Sequence, residues 1–521
     1  MAQLSSPARR VSGGLLRRVA ATAVVICLFL LAVSFALREP LKNALRKEAS
    51  EALEARFESR LQYRSFDIQF FPPGAVLQNV VFRQQKNPDL PPLIQIAQIR
   101  AEAGLGLLWF HPHVRHVQLD GLDIRIPTKR DREGGGHETP RKKPARFPFT
   151  ISELTADSAS VIMLRGPNEK PPLQFDIHHL RMQNVNLDEP ADFEATLTNP
   201  RPTGEIQTSG QFGPWQADEP SLTPVRGRYD FSHANLADFK GIGGILSSQG
   251  KYDGVLQRIE VNGKTDTPDF YLSLAKHPVP LVTTFHAIVD GTNGNTALQQ
   301  VSAKLGSSAF TARGEVSKFQ DESGRRVLLE TAMEQGRLED VLRLSVRAAV
   351  PPLTGALRFQ GKIDIPAGKE GVVEKLRLDG QFEVEAARFA SLNIREKLRS
   401  LSRKGQGAPE DPSAGSSISN LRGRFTMEQA RIHFSSLTFE LEGASVNLAG
   451  TYGLTDEALD LHGQLYLDAK LSQTTTGAKA VLLKALDPFF RGRKGGSQIP
   501  IKITGTRSNP SFGLDLTGKK S

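Results

Sequence analysis

Residues 111–116 of the 521-residue chain read HPHVRH, and His111, His113 and His116 are the side chains best suited to hold a metal. A His-x-His pair on a strand presents two ligands from one face. Pro112 interrupts that strand, and no nearby Cys, Asp or Glu completes a set, so the spacing reads as a polar strand edge and no metal site is assigned. Residues 273–276, SLAK, match the S-x-x-K of the penicillin-binding enzymes. That motif opens a helix and works with S-D-N and K-T-G elsewhere. Neither companion is present, and Ser273 is expected on a strand after the turn at Pro268. No G-x-S-x-G, phosphate-binding loop or H-E-x-x-H occurs. Cys27 is the single cysteine, which excludes an intramolecular disulfide and a Cys-rich metal centre. No cofactor and no catalytic residue is assigned, and the chain is expected not to be an enzyme.

The elements that would position such groups are mostly strands. Phe66, Ile68 and Phe70 alternate with Asp67 and Gln69. Leu459, Leu461, Leu465 and Leu467 alternate with Asp460, His462, Gln464 and Asp468, and Ile499, Ile501 and Ile503 follow the same rule, as do Phe512, Leu514 and Leu516. A period of two sends apolar side chains to one face of a sheet and polar ones to the other. Gly- and Pro-containing turns separate the runs at hairpin spacing, so the pairing should be mostly antiparallel. Residues 261–272 (VNGKTDTPDFYL) and 503–514 (ITGTRSNPSFGL) echo each other, with Gly263 and Gly505 each five residues before Pro268 and Pro510. Such an echo fits stacked repeats, or turn chemistry alone. Helical spacing is confined to residues 40–61, 232–246, 338–348, 394–402 and 476–490.

Residues 19–37 (VAATAVVICLFLLAVSFAL) carry no charge and no proline. As a helix they span roughly 28 Å, close to the hydrocarbon thickness of a bilayer. Val19, Val24, Leu28, Leu31 and Leu37 are the expected lipid-facing anchor. Arg9, Arg10, Arg17 and Arg18 precede the run with no acid among them, which places residues 1–18 in the cytoplasm and the remainder across the membrane. A cleaved signal peptide ending at Ala36 is the competing reading.

The net charge of +10 follows this topology. Residues 1–18 carry +4, residues 129–146 carry +4 and residues 491–521 carry +6, so everything else is net −4. Nucleic-acid binding calls for a basic face on a folded element and is set aside. The basic head orients the anchor, and the linker and tail suit anionic lipid headgroups.

The sequence resembles the AsmA family of exported, single-anchor proteins. The Arg-flanked anchor and the helix after it fit, as do residues 70–82 (FFPPGAVLQNVVF) and residues 92–126, whose second strand carries Leu119-Asp120-Gly121. Residues 448–453 (LAGTYG), Leu459-Asp460-Leu461, Asp487-Pro488-Phe489 and residues 499–505 follow in the order of the family's carboxy-terminal domain. The resemblance implies an inner-membrane anchor and a periplasmic β-groove related in pattern to TamB-type and chorein-type lipid-transfer proteins.

The expected fold is therefore mainly β. An N-terminal transmembrane helix precedes an elongated, mostly antiparallel β-sheet groove (β-taco-like) with a few short amphipathic helices. Alternation alone fits closed sandwiches equally well, and the resemblance favours the groove. The expected parts are a cytoplasmic head (1–18), the membrane helix (19–37), a juxtamembrane helix with an amino-terminal β region (38–127), a basic linker (128–146), a middle groove region (147–390), a helix with a flexible linker (391–417) and a carboxy-terminal β domain (418–521). The candidate groove lining is Phe66, Ile68, Phe70, Leu459, Leu461, Leu465, Leu467, Ile501, Ile503, Leu514 and Leu516. The expected function is binding or transfer of phospholipid acyl chains at the inner membrane in outer-membrane biogenesis. The expected partners are membrane phospholipid and other envelope proteins, with no nucleic acid. The alternative is a scaffold or chaperone for outer-membrane protein assembly.

Overall fold

The structure is a computed structural model. It describes residues 59–515 apart from 71–72, 85–91, 93, 104–112, 127–149, 164–172, 187, 217–218, 319–323, 391, 408–417, 476–483, 485–486, 488–489 and 491–495. The expected anchor, from Val19 to Leu37, the linker at 128–146, most of the helix at 476–490, and Leu516 lie outside the described residues. Among the described residues no helix is long and apolar enough to cross a membrane. The chain divides into two compact units, Met1–Met163 with Arg181–Asp188, and Leu164–Leu180 with Glu189–Ser521.

The first unit is built on β1 (Ser59–Gln62), β2 (Ser65–Phe70), β3 (Pro73–Gln84), β4 (Ile94–Ala103), β5 (His113–Ile126) and β6 (Thr150–Met163). β1 and β2 pair with the two halves of β3, and β3–β4–β5 continue as an antiparallel ladder. β5 and β6 run parallel. A parallel pair needs a long connection that returns the chain to the starting end. Residues 127–149 separate these two strands in the sequence. Apolar residues face each other across the ladder, as in Phe82 with Ile94, Val80 with Ile96 and Ile96 with Leu122. Val80, Phe82, Ile96, Val117 and Leu122 are buried.

β7 (Leu173–Val185) follows β6 in the chain. The second unit is a single antiparallel ladder. Its strands are β8 (Ala191–Pro200), β9 (Thr203–Phe212), β10 (Pro224–Asn235), β12 (Ile245–Val255), β13 (Arg258–Thr267), β15 (Leu281–Val289), β16 (Thr296–Leu305), β17 (Ser308–Ser317), β18 (Arg326–Arg337), β19 (Leu353–Ile365), β20 (Arg377–Phe389), β21 (Ser419–Glu428), β22 (Arg431–Leu441), β23 (Ala444–Gly453), β24 (Ala458–Leu467), β25 (Ser497–Thr506) and β26 (Pro510–Leu514). Each pairs with the next in this order. β11 (Ile242–Gly243) and β14 (Tyr271–Leu272) form a separate two-stranded sheet. Among the described residues this unit carries the α-helices α1 (Leu338–Ser345), α2 (Val372–Lys375) and α3 (Leu392–Gly405).

Several expectations change. The helix expected over 232–246 is absent. Ser232 pairs with Glu205 in the ladder, Asn235 caps a single 3-10 turn at Leu236–Asp238, and Gly241 and Gly244 take positive φ. Leu236, Phe239, Ile242 and Leu246 have helical spacing, but the glycines among them let the chain turn back into β11 and β12. Residues 59–61, expected to end the juxtamembrane helix, are strand, with Leu61 opposite Phe82. The helices expected at 338–348 and 394–402 form at Leu338–Ser345 and Leu392–Gly405. The echo proves to be turn chemistry. After Pro510 the chain forms the hairpin β25–β26, whereas after Pro268 it leaves the ladder and pairs β14 with β11.

Candidate functional site

Along β12 the residues Gln249, Lys251 and Asp253 are exposed while Gly250 and Tyr252 between them are half-buried. The same alternation runs from β8 to β25, so the second unit has a polar face and an apolar face. Ion-pair ladders cover the polar face. Arg313 meets Glu330, Arg358 meets Glu385, Arg422 meets Glu383, and Arg326 donates two hydrogen bonds to Asp364. The Arg313 hydrogen bond holds the Glu330 carboxyl below its ordinary value, and Arg326 does the same for Asp364.

On the apolar face, aromatic rings lie over glycines of neighbouring strands. Gly250 pairs with Gly263, and Gly361 with Gly380. A Cβ on Gly263 would stand 2.7 Å from the Phe285 ring and from the Tyr229 hydroxyl; one on Gly227 would stand 2.6 Å from the Tyr252 hydroxyl. Missing Cβ atoms give these rings room to lie flat. Hydroxyls are paired within the floor. Tyr252 Oη lies 2.7 Å from Thr208 Oγ1, Tyr229 Oη 3.1 Å from Ser248 Oγ, and Thr265 Oγ1 2.7 Å from Thr283 Oγ1. Burial pushes both tyrosine phenols up from their ordinary value, so they stay neutral.

Register shows that this sheet is curled. One end of the ladder, rim one, holds Asn235, Thr267, Leu281, Leu305, Ser308, Leu353, Phe389, Leu441, Ala444 and Leu467. The opposite end, rim two, holds Val255, Val289, Ile365, Arg377, Glu428, Arg431 and Gly453. β11, β14 and the turns around them leave from rim one, and α2 belongs to rim two. Yet the Val372 N–H donates to the Lys240 carbonyl at 2.8 Å. Leu272 and Leu274 pack on Val373, Met427, Ala430 and Leu454, beside Leu378, Ile432 and Tyr452. In a flat sheet, six inter-strand steps and one strand length would separate these ends by roughly 44 Å. Out-and-back loops of this size reach roughly 30 Å together. The strands must therefore bend until the rims approach. Leu378, Ile432 and Tyr452 belong to the apolar face, so the β11–β14 sheet is a strap across the inside of the resulting trough.

The trough has two regimes. From β18 to β25 the floor is filled by the protein itself. Met333, Leu357, Val384, Leu448, Leu461 and Leu465 are buried, with Leu338 and Val341 of α1 and Leu401 of α3 packed on them. Phe425 lies 6.1–6.3 Å, centroid to centroid, from Phe359, Phe382 and Phe434. From β8 to β16 the floor residues Phe193, Tyr229, Phe231, Tyr252, Val261, Phe285 and Leu298 are only half-buried.

Among the described residues, most of the predicted lining positions lie in packed core. Leu461, Leu465 and Leu467 are buried core, with Leu459, Ile501 and Ile503 packed against it. Leu514 sits on β26 opposite Ile501, exposed at 51 %, beside Phe512 at 53 %. Phe66 and Ile68 lie in the first unit opposite Leu77 and Ala75, and Phe70 opposite Pro73. The half-buried floor from Phe193 to Leu298 was not among the expectations. Its signal is aromatics alternating with glycines at a period of two, as in Gly227-Arg228-Tyr229 and Gly250-Lys251-Tyr252.

The chemistry-bearing motifs are drawn into structure. His116 Nδ1 lies 3.2 Å from Glu153 Oε2, and Arg181 donates to Glu153 at 2.6 Å, which holds that carboxyl below its ordinary value. His111 lies outside the described residues. Ser273 stands in a turn rather than on a strand, donating its N–H to Gly241, and the Lys276 N–H closes the turn on Leu272. No group of three His, Cys, Asp or Glu among the described residues could hold a metal.

No family model matches the chain, and no curated protein matches it.

Proposed function

We propose that this protein is a membrane-anchored periplasmic protein that binds or transfers phospholipid acyl chains along the trough floor of its second unit, in support of outer-membrane biogenesis. The observation that carries the reading is a floor of aromatic and aliphatic side chains, only half-buried from β8 to β16, inside a sheet whose other face is an ion-pair surface. An acyl chain laid there removes apolar surface from water, at about 0.8 kcal/mol per buried CH₂. The headgroup stays at the mouth. The apolar run from Val19 to Leu37 and the AsmA-like pattern of residues 70–82, 92–126 and 448–505 support the same reading.

The test is to purify the chain from residue 38 onward without detergent, extract it, and identify bound lipid by mass spectrometry. Bound phospholipid and uptake of a fluorescent phospholipid, both reduced by Tyr252→Asp, are expected. An empty protein that takes up no lipid excludes the reading.

The alternative, a scaffold or chaperone for outer-membrane proteins, draws on β26. This terminal strand of the described ladder carries Phe512 and Leu514 exposed and no charge from Pro510 to Leu514, which is an open template for another strand. A photo-cross-linker at Ser511 separates the readings by trapping protein or lipid.

A further inference from the structure

Arg313, Arg326, Arg358, Arg377, Arg422 and Arg431 on the polar face pair with acids, while Arg226 and Arg228 bond Gln211 and Ser209 instead. One part of rim one gathers several bases without an acidic partner among the described residues. Lys276, Lys304, Arg343 and Arg347 are exposed and make no ion pair among the described residues. Contacts around these residues draw them together. His277, next to Lys276, places Nε2 3.2 Å from the Arg347 carbonyl. The Gly306 N–H donates to the Pro280 carbonyl at 2.8 Å, and Lys304 stands directly opposite Val282 in the ladder. Arg343 lies in the last turn of α1, one turn before Arg347. The nearby carboxylates are largely engaged. Asp340 is buried on Ser307 and Ser308, Glu339 pairs with Arg337, and Asp269 accepts the Ile245 N–H. Asp266, opposite Val282, and Glu334, beside Gln335, are the remaining exposed acids near this ladder end.

Apolar side chains are exposed within the same surface. Val350 is 66 % exposed and Val282 is 42 % exposed. Unpaired bases interspersed with exposed aliphatic groups are the composition of a surface that sits on anionic headgroups, with charge drawing it in and side chains entering the interface.

We propose that this stretch of rim one, Lys276, Val282, Lys304, Arg343, Arg347 and Val350, docks on the surface of a bilayer containing anionic phospholipid. The surface flanks the strap at the trough mouth, where a membrane-bound lipid would enter or leave. The inference goes beyond the acyl-chain reading and stands without it, since it requires no ligand on the floor.

The test uses the full chain in phosphatidylcholine nanodiscs. Cys27 is replaced by serine, and Val350→Cys carries an environment-sensitive fluorophore. Separate vesicles of phosphatidylcholine alone, or with phosphatidylglycerol, are then titrated in. A blue shift on phosphatidylglycerol vesicles and none on phosphatidylcholine vesicles is expected. Lys276→Gln and Arg347→Gln should each weaken the half-point about five-fold, the value of one base near an anionic surface. Lys251→Gln, exposed on the polar face and nearer the opposite rim, should leave it unchanged. Circular dichroism checks that each variant folds. No shift, an equal shift on both vesicles, insensitivity to the two rim substitutions, or displacement by millimolar inorganic phosphate or soluble polyglutamate overturns the proposal. Mass spectrometry of lipid bound to the same samples reports the floor separately, so an empty floor with intact docking, or the reverse, tells the two readings apart.

Discussion

The Lys240 carbonyl accepts the Val372 N–H at 2.8 Å although their loops leave opposite ends of the strand ladder. That bond joins the two rims of the curled sheet and defines the strap. Gly241, the next residue, takes φ +99°, and a Cβ there would stand 2.8 Å from the Val372 nitrogen. Gly241→Val should therefore undock the strap, at a cost of about 1–3 kcal/mol for the backbone strain. Hydrogen exchange checks it. The Val372 amide should lose protection while amides of the β8–β9 ladder keep theirs.

The floor can be tested at Gly263. Gly263→Val inserts a branched side chain beneath Phe285 and Tyr229, and overpacking of this kind costs about 1–3 kcal/mol. Lipid uptake should fall with it, because the displaced rings occupy the floor. Thermal unfolding and fluorescent-lipid titration read the two effects. Unchanged uptake with lowered stability would place the ligand elsewhere.

Asp340 holds the turn that seats α1. It accepts the Ser307 N–H at 3.0 Å and the hydroxyls of Ser307 and Ser308 at 2.7 and 2.8 Å, while Ser308 Oγ accepts the Arg337 N–H at 2.8 Å. Asp340→Ala leaves these donors without their acceptor in a buried site. A loss of about 2–4 kcal/mol is expected, since hydrogen bonds to a charged group count for more than neutral ones. Denaturant unfolding measures it, and Asp340→Asn should restore part.

His462 gives a pH signature. Its Nδ1 lies 2.8 Å from Asp515 Oδ2 and its Nε2 3.0 Å from Asp460 Oδ1, and the Asp515 hydrogen bond raises the imidazole pKa most. Lys502 stands opposite His462 in the ladder. A raised folded value means that the protonated form favours folding. The contribution is complete below the unfolded value of about 6.5 and is lost as pH rises through the higher folded value. The melting-temperature gap between the protein and its His462→Gln variant should shrink as pH rises above the unfolded value of about 6.5. A gap that widens would contradict the pairing.

The strands were the most legible part of this chain. Leu459 to Leu467 and Ile499 to Ile503 alternate so cleanly that face and pairing direction follow from them. What covers a face does not follow. Leu461 and Leu465 were expected to line an open groove and instead lie buried beneath neighbours that include Leu401 and Phe490, because alternation says which side is apolar and nothing about which helix returns to cover it. The helical spacing of Leu236 to Leu246 misled because spacing outweighed the glycines between. The strap itself left no trace in the sequence, since Lys240 and Val372 are brought together only by the bending of the strands between them.

That strap bears on the order in which the second unit assembles. Each strand of its main ladder pairs with the next in the chain, mostly through short loops apart from the longer connections before β21 and β25, so most strands can join as soon as their hairpins close, with little loop entropy to overcome. The Lys240–Val372 bond spans far more chain and can form only after β13 to β19 are in place. It closes late, and protection of the Val372 amide would serve as a clock for completion of the fold.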